Sequence, residues 1–151
     1  MIAGIIIIII GYYSLRKPII IRKEAVPEGY ENYAEVADFK VKILLINRSA
    51  RELRNLHVSD RVPSIAHLIH KEHLGTLKPS KILTTEKKDS LLFWNIETLE
   101  PYEERIVTYH IQSRLKLYGG INLPRTKVKY ESRGRERKTY SNYVYVFGKR
   151  R

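Results

Sequence analysis

From Ala37 onward the chain is written in twos. Ala37-Asp38-Phe39-Lys40-Val41-Lys42-Ile43 alternates apolar and polar residues before running into Leu44, Leu45 and Ile46. That is the period of a half-buried strand, in which successive side chains face opposite sides. Asn47-Arg48-Ser49 then supplies turn chemistry. The same unit recurs: Leu53 to Val58, Ile82 to Thr85, Leu91 to Ile96, Arg105 to Gln112, Thr126 to Tyr130 and Lys138 to Val146 all read as strands. Turn signals separate them at Asp60 to Pro63, Lys78-Pro79-Ser80, Lys87 to Ser90, Glu100-Pro101, Tyr118-Gly119-Gly120, Pro124, and Ser132 to Gly134. Many short strands punctuated at roughly 8–12 residues point to an all-β antiparallel sandwich. A helix fits only at Ser64 to His73, where an irregular crossing between two sheets fits as well.

A chain of 151 residues holds one ordinary domain and a short appendage. Trp94, in mid-strand, reads as a buried aromatic anchor. Tyr140, Tyr143, Val144, Tyr145, Val146 and Phe147 are large enough to close the core from the last strand. Strict alternation there would aim Tyr140 and Asn142 to one face and Tyr143 and Tyr145 to the other, so half of these tyrosines would be core.

The appendage is the amino terminus. Ile2 to Tyr13 carries no charge and contains six consecutive isoleucines, Ile5 to Ile10. As a helix at about 1.5 Å per residue, Met1 to Leu15 reaches roughly 22 Å, short of the ~30 Å hydrocarbon core of a bilayer. A secretory signal would place basic residues before the run and small residues after it, and neither flank fits. Tyr12 and Tyr13 followed by Arg16 and Lys17 match the aromatic belt and basic flank of a membrane helix. Residues 1–15 therefore read as a membrane-anchor helix, its shortness suggesting a truncated start, with a buried β-branched strand as the competing reading. Residues 16–37 follow as a basic tether with an edge strand, 38–147 as the sandwich and 148–151 as a basic tail. Because Arg16, Lys17, Arg22 and Lys23 all follow the run, the positive-inside rule expects a single-pass protein with its domain on the cytoplasmic side.

The formal charge of +12 and a pI near 9.9 call for an acidic partner: lipid headgroups, a protein face or nucleic acid. The candidate contacts are Arg16 and Lys17, the segment Arg133, Arg135, Arg137 and Lys138, and the tail Lys149, Arg150 and Arg151. Tyrosines between the last two groups keep nucleic acid as a lesser alternative, behind a bilayer and an unidentified protein partner. The absence of cysteine excludes disulfides, thiolate catalysis and Cys-based metal sites. His57, His67, His70 and His73 invite a metal reading, but neither His-Glu-x-x-His nor its inverse occurs, so solvated histidines are expected and no metal. Glu97, Glu100, Glu103 and Glu104 bracket Pro101 as a solvated hairpin rather than as acid and base. No nucleophile elbow, P-loop or dinucleotide fingerprint occurs, and no cofactor or enzymatic activity is expected. Asn47-Arg48-Ser49 also has the form of a glycosylation acceptor, of consequence only for a domain facing outside.

Asn47-x-Ser49, Leu53-x-Asn55-Leu56-x-Val58-x-Asp60-x-Val62-Pro63 and Trp94-x-Ile96-x-x-Leu99-x-Pro101-x-Glu103 form an ordered pattern. Tyr109-x-Ile111, Leu123-Pro124, Val128-x-Tyr130 and Ser141-Asn142-x-Val144-x-Val146 continue it. Over residues 38–147 the chain resembles the immunoglobulin-like "conserved repeat" domain of archaeal and bacterial surface and membrane proteins. The resemblance implies an immunoglobulin-like sandwich without catalytic role, used as spacer, stalk or adhesion module. The single Gln and Met and abundant Lys, Glu, Arg, Ile and Tyr resemble proteins of hot environments. A single, strongly basic copy departs from the exported members, so the expectation is a membrane-anchored structural or protein-interaction module facing inward. An exported surface or appendage domain is the alternative.

Overall fold

A computed structural model describes residues 17–30, 37–69, 77–113 and 120–147. The expected anchor helix, Arg16, His70, His73 and the tail residues Lys149, Arg150 and Arg151 lie outside the described residues. Among the described residues every regular element is a strand, and no helix is long and apolar enough to cross a membrane.

The strands are β1 (Ile19–Tyr30), β2 (Ala37–Asn47), β3 (Leu53–Val62), β4 (Ala66–Ile69), β5 (Lys81–Thr84), β6 (Ser90–Leu99), β7 (Glu104–Ser113), β8 (Gly120–Leu123), β9 (Lys127–Ser132), β10 (Arg135–Tyr140) and β11 (Val144–Phe147). They form a four-stranded sheet in the order β1-β2-β7-β4, a five-stranded sheet in the order β10-β9-β3-β6-β5, and the pair β11-β8. All pairings are antiparallel. The result is β-sandwich-like, with one core shared by all three sheets.

The period-2 pattern explains that core. Phe39, Val41, Ile43 and Leu45 of β2 turn inward, as do Val107, Tyr109 and Ile111 of β7 beside them. Leu56, Val58 and Val62 of β3, Leu92, Trp94 and Ile96 of β6, and Val128 and Tyr130 of β9 come from the facing sheet. Trp94 and Tyr109 meet across the interface with ring centroids 6.1 Å apart. Leu53 and Leu56 are both buried although three residues apart, which strict alternation forbids. A bulge marks the spot: the register of β3 against β9 shifts between Arg54 and His57, and Asn55, at φ 50°, is left out of the pairing. Asn is among the few side chains that tolerate this left-handed conformation. The β9–β10 hairpin closes on Arg133-Gly134, at φ 54° and 69°, the paired positive angles of a tight hairpin turn. Gly120 has a different reason. A Cβ there would meet the Val146 carbonyl and the Tyr145 ring at 2.6 Å, so only glycine lets β11 lie against β8.

Three expectations are corrected. The described part of the Ser64–His73 stretch is a strand, β4, which pairs with β7 and completes the four-stranded sheet. The long last strand is two strands, β10 and β11, with a break at 141–143 that moves the chain between sheets. The break cancels the alternation, and Tyr140, Tyr143 and Tyr145 are 40%, 70% and 51% exposed, leaving Val146 in the core. Arg125 lies 5.2 Å from the ring centroids of both Tyr140 and Tyr143 and holds them at the surface. Finally, Asp60 is not a turn residue but lies within β3, 3% exposed. An acid in a core strand needs a buried partner, and it has one.

Candidate functional site

The edge strand expected in the tether is β1, which runs the length of β2. Its pattern buries Ile19, Ile21 and Lys23 on one face. Lys23 occupies the third inward position, where an apolar residue would be ordinary, and its side chain is fully enclosed. Lys23 Nζ donates to Asp60 Oδ1 at 2.7 Å and to the Pro124 carbonyl at 2.8 Å. Asp60 accepts two further bonds, from the Tyr109 hydroxyl at 2.7 Å on Oδ2 and from the Arg61 amide at 2.9 Å on Oδ1. One carboxylate thus ties β1 and β7 of one sheet to β3 of the other, and Lys23 extends the tie to the segment after β8.

The backbone of Lys23 is held as well. Asn142 Oδ1 accepts from Lys23 N at 2.8 Å and Asn142 Nδ2 donates to Lys23 O at 2.9 Å. A side-chain amide so stands in for a neighbouring strand on the outer edge of β1. Burial pushes the Lys23 amine below its ordinary value, against the opposing attraction of Asp60. Burial, with the Asp60 charge and hydrogen bond added, pushes the Tyr109 hydroxyl well above the usual phenol range. Both side chains of the ion pair are sealed from solvent, so no substrate reaches them. Their chemistry is that of a cross-link between sheets.

The raised Tyr109 fixes a sign. A folded-state pKa above the unfolded value contributes stability that is fully present below about pH 10 and is lost as pH rises through the folded value. Wild type should exceed Tyr109→Phe by about 1.5–3 kcal/mol at pH 8, the worth of a hydrogen bond to a charged group. Above pH 10 the advantage should shrink by up to roughly 1.4 kcal/mol per pH unit. Urea midpoints at pH 8 and pH 11 measure it, and an unchanged difference would refute the assignment. Lys23 is common to both proteins, so its own opposing contribution, which grows as pH rises toward 10.5, cancels from the comparison.

A second tie joins two turns. Asn47, fully buried, donates through Nδ2 to the carbonyls of Arg51 at 2.7 Å, Leu99 at 3.1 Å and Glu100 at 2.9 Å. Its Oδ1 accepts from Ser49 N and Ser49 Oγ at 3.0 and 2.8 Å. This is the turn reading of Asn47-Arg48-Ser49 in atomic form. The amide nitrogen that a glycan would need is enclosed and engaged.

Of the candidate cationic contacts, those within the described residues, Lys17, Arg133, Arg135, Arg137 and Lys138, are all exposed. Arg133 sits at the β9–β10 turn, and Arg135, Arg137 and Lys138 follow it along the edge strand β10. Lys17 lies just before β1, its carbonyl accepting from Arg48 Nη2 at 2.9 Å. His57 and His67 are exposed, and His57 Nδ1 is 2.8 Å from Asn95 Oδ1. Among the described residues no three His, Asp or Glu side chains are grouped as metal ligands. A fifth histidine, His110, is buried with Nε2 3.0 Å from Glu28 Oε2. The outward side of the first sheet carries a shallow groove of about 560 Å³, where Leu44 and Ile106 lie beside Arg22 and Lys42.

No family model matches the chain, and no curated protein matches it. Its fold is similar to part of solved structures of the GH20 exo β-N-acetylglucosaminidase from Vibrio harveyi. The complex with N-acetylglucosamine matches with a TM-score of 0.50 at 6% identity. An inactive mutant of the same enzyme matches with a TM-score of 0.54 at 9% identity. Each match covers 88% of this chain and 19% of the enzyme, so the chain spans about a fifth of that protein's length. At such identities the likeness shows a shared β fold and carries no activity across.

Proposed function

We propose that the chain is a membrane-anchored, immunoglobulin-like β-sandwich that works without catalysis, as a structural or protein-interaction module held at the cytoplasmic face. The supporting observation is how the chain enters the fold. Six residues beyond Lys17 on β1, Lys23 is locked to both sheets through Asp60, Tyr109 and Pro124. A pull on the amino terminus is therefore borne by the whole sandwich and not by one peeling edge strand. The apolar run from Ile2 to Tyr13 supplies the tether, and the basic residues after it supply the orientation. The resemblance over residues 38–147 supports the spacer or interaction role.

Flotation tests the anchor. The full-length chain is expected to float with membranes and to resist alkaline extraction, whereas a chain lacking residues 1–17 remains in the soluble fraction. Full-length protein that stays monomeric in solution without detergent would overturn the reading. Protease added outside right-side-out vesicles should leave the domain intact; digestion from outside would place it on the other face.

A further inference from the structure

One end of the sandwich gathers cations that the sequence scatters. The Arg48 amide donates to the Pro18 carbonyl at 2.7 Å and its guanidinium to the Lys17 carbonyl at 2.9 Å, which fixes the entry of the chain against the β2–β3 turn. Asn47 joins that turn to the β6–β7 turn, and Arg51 and Arg54 share a groove with Arg133 and Gly134 of the β9–β10 hairpin. Lys17, Arg48, Arg51, Arg133 and Arg135 so lie at the end of the sandwich where β1 begins, and all five are exposed. Two of the acids there are ion-paired, Glu52 with Arg54 and Glu103 with Arg105, and Glu131 accepts from the neutral Asn55 amide. Glu100, Glu104 and Glu131 keep their charges against the five cations outside those ion pairs, so the end is cationic by two.

Tyr102 is carried by the β6–β7 turn at this end. It is 69% exposed at the tip of the β6–β7 turn and has φ 61°. Glu103 N closes the turn on the Glu100 carbonyl at 3.1 Å, with Pro101 and Tyr102 as its central residues. That position favours glycine or asparagine, and a bulky side chain at positive φ is an outlier that costs of order 1–3 kcal/mol. Tyr102 belongs neither to the core nor to the residues packed against it. Its amphipathic ring is the kind that settles at a membrane–water interface.

We infer that this end is a bilayer-facing surface, in which Tyr102 enters the headgroup region while Lys17, Arg48, Arg51, Arg133 and Arg135 contact anionic lipid headgroups. The inference rests on the membrane-anchored reading and adds its orientation. Only residues 14–16 separate Tyr13 from Lys17, so Lys17 lies within about 14 Å of the apolar run whatever path they take. Arg48 is bonded to Lys17 directly, and the other cations share its end of the domain. Charges within about a Debye length of ~8–10 Å feel an anionic surface, and the far end of the domain does not. Arg137 and Lys138 run away from this end along β10 and belong less to the contact.

The chain contains no cysteine, so a single introduced one reports unambiguously. Full-length Tyr102→Cys and Lys87→Cys, each carrying an environment-sensitive fluorophore, are reconstituted into vesicles of phosphatidylcholine with or without phosphatidylserine. Lys87 lies in the β5–β6 turn, at the opposite end of β6, which spans roughly 30 Å. Collisional quenching by aqueous iodide is expected to be several-fold weaker at position 102 than at 87 on phosphatidylserine vesicles. The protection should vanish in high salt and in Arg51→Glu/Arg133→Glu. Chains that float with the vesicles yet are quenched equally at both positions would overturn the surface and leave the anchor standing. Equal protection at 102 on neutral vesicles would overturn the role given to the cations. Chains that do not float at all would overturn both the anchor and the surface built on it.

Discussion

Asp60→Asn is expected to destabilise the domain by about 3–5 kcal/mol, the usual cost of removing one partner from a buried ion pair. Its thermal midpoint should fall by about 10–20 °C for a domain of this size. The substitution keeps the shape of the side chain and removes its charge, leaving the Lys23 ammonium enclosed without a counter-ion. Asp60 is what holds the Lys23 amine up against burial. Without it the amine falls further and escapes by losing its proton, which caps the cost. Lys23→Met should be comparably damaging, because Asp60 is then the unpaired buried charge. The triple Lys23→Met/Asp60→Leu/Tyr109→Phe should be more stable than either single variant, since apolar replacement of a whole buried pair is often neutral. Chemical denaturation of the four proteins decides the matter. A cost below about 1 kcal/mol for Asp60→Asn, or additive costs in the triple, would show that the contact is not a coupled buried pair.

That cross-link marks where reading the sequence stops. Alternation exposed the strands because burial on one face is written into neighbouring residues, and the inward rows of β2, β6 and β7 follow it. Lys23 and Asp60 are 37 positions apart and become partners only when two sheets close on each other. Taken singly, a lysine after a basic flank reads as an orienting charge, and an aspartate before Arg61-Val62-Pro63 reads as a turn. A signal was present in the pattern, since Ile19, Ile21 and Lys23 share the inward parity of β1 and Asp60 shares that of Val58 and Val62. A charge on the apolar side of two strands asks for an opposite charge on the other. The surface tyrosines fail differently: parity across 138–146 assumed one strand, and a break at 141–143 made two. The cationic end was half legible, as Lys17, Arg133 and Arg135, while Arg48 read only as part of a turn and Arg51 gave no signal until the turns were brought together.

Asn47→Ala should cost about 2–4 kcal/mol, more than a typical surface turn, because it leaves the enclosed Leu99 carbonyl without its partner and removes several bonds together. Asn47→Asp should be worse than alanine. It keeps the volume but turns a carboxylate oxygen toward three carbonyl oxygens, where the native amide donates. In a simple turn motif that needs only the Oδ1 acceptor, as Ser49 does, aspartate would be tolerated. Urea denaturation of the two variants therefore discriminates between a bolt and a turn. Aspartate at least as stable as alanine would mean that the three contacts from Nδ2 carry no weight. The damage should also be local: amide exchange at Glu100 to Glu103 should rise before the strands open, since Asn47 holds that turn to the β2–β3 turn. Tyr102 keeps its strained conformation only while the surrounding turn is held. Loosening it by Asn47→Ala should release Tyr102 into conformations that no longer project it past the basic residues, so protection from iodide on anionic vesicles should weaken in this variant without any change of charge.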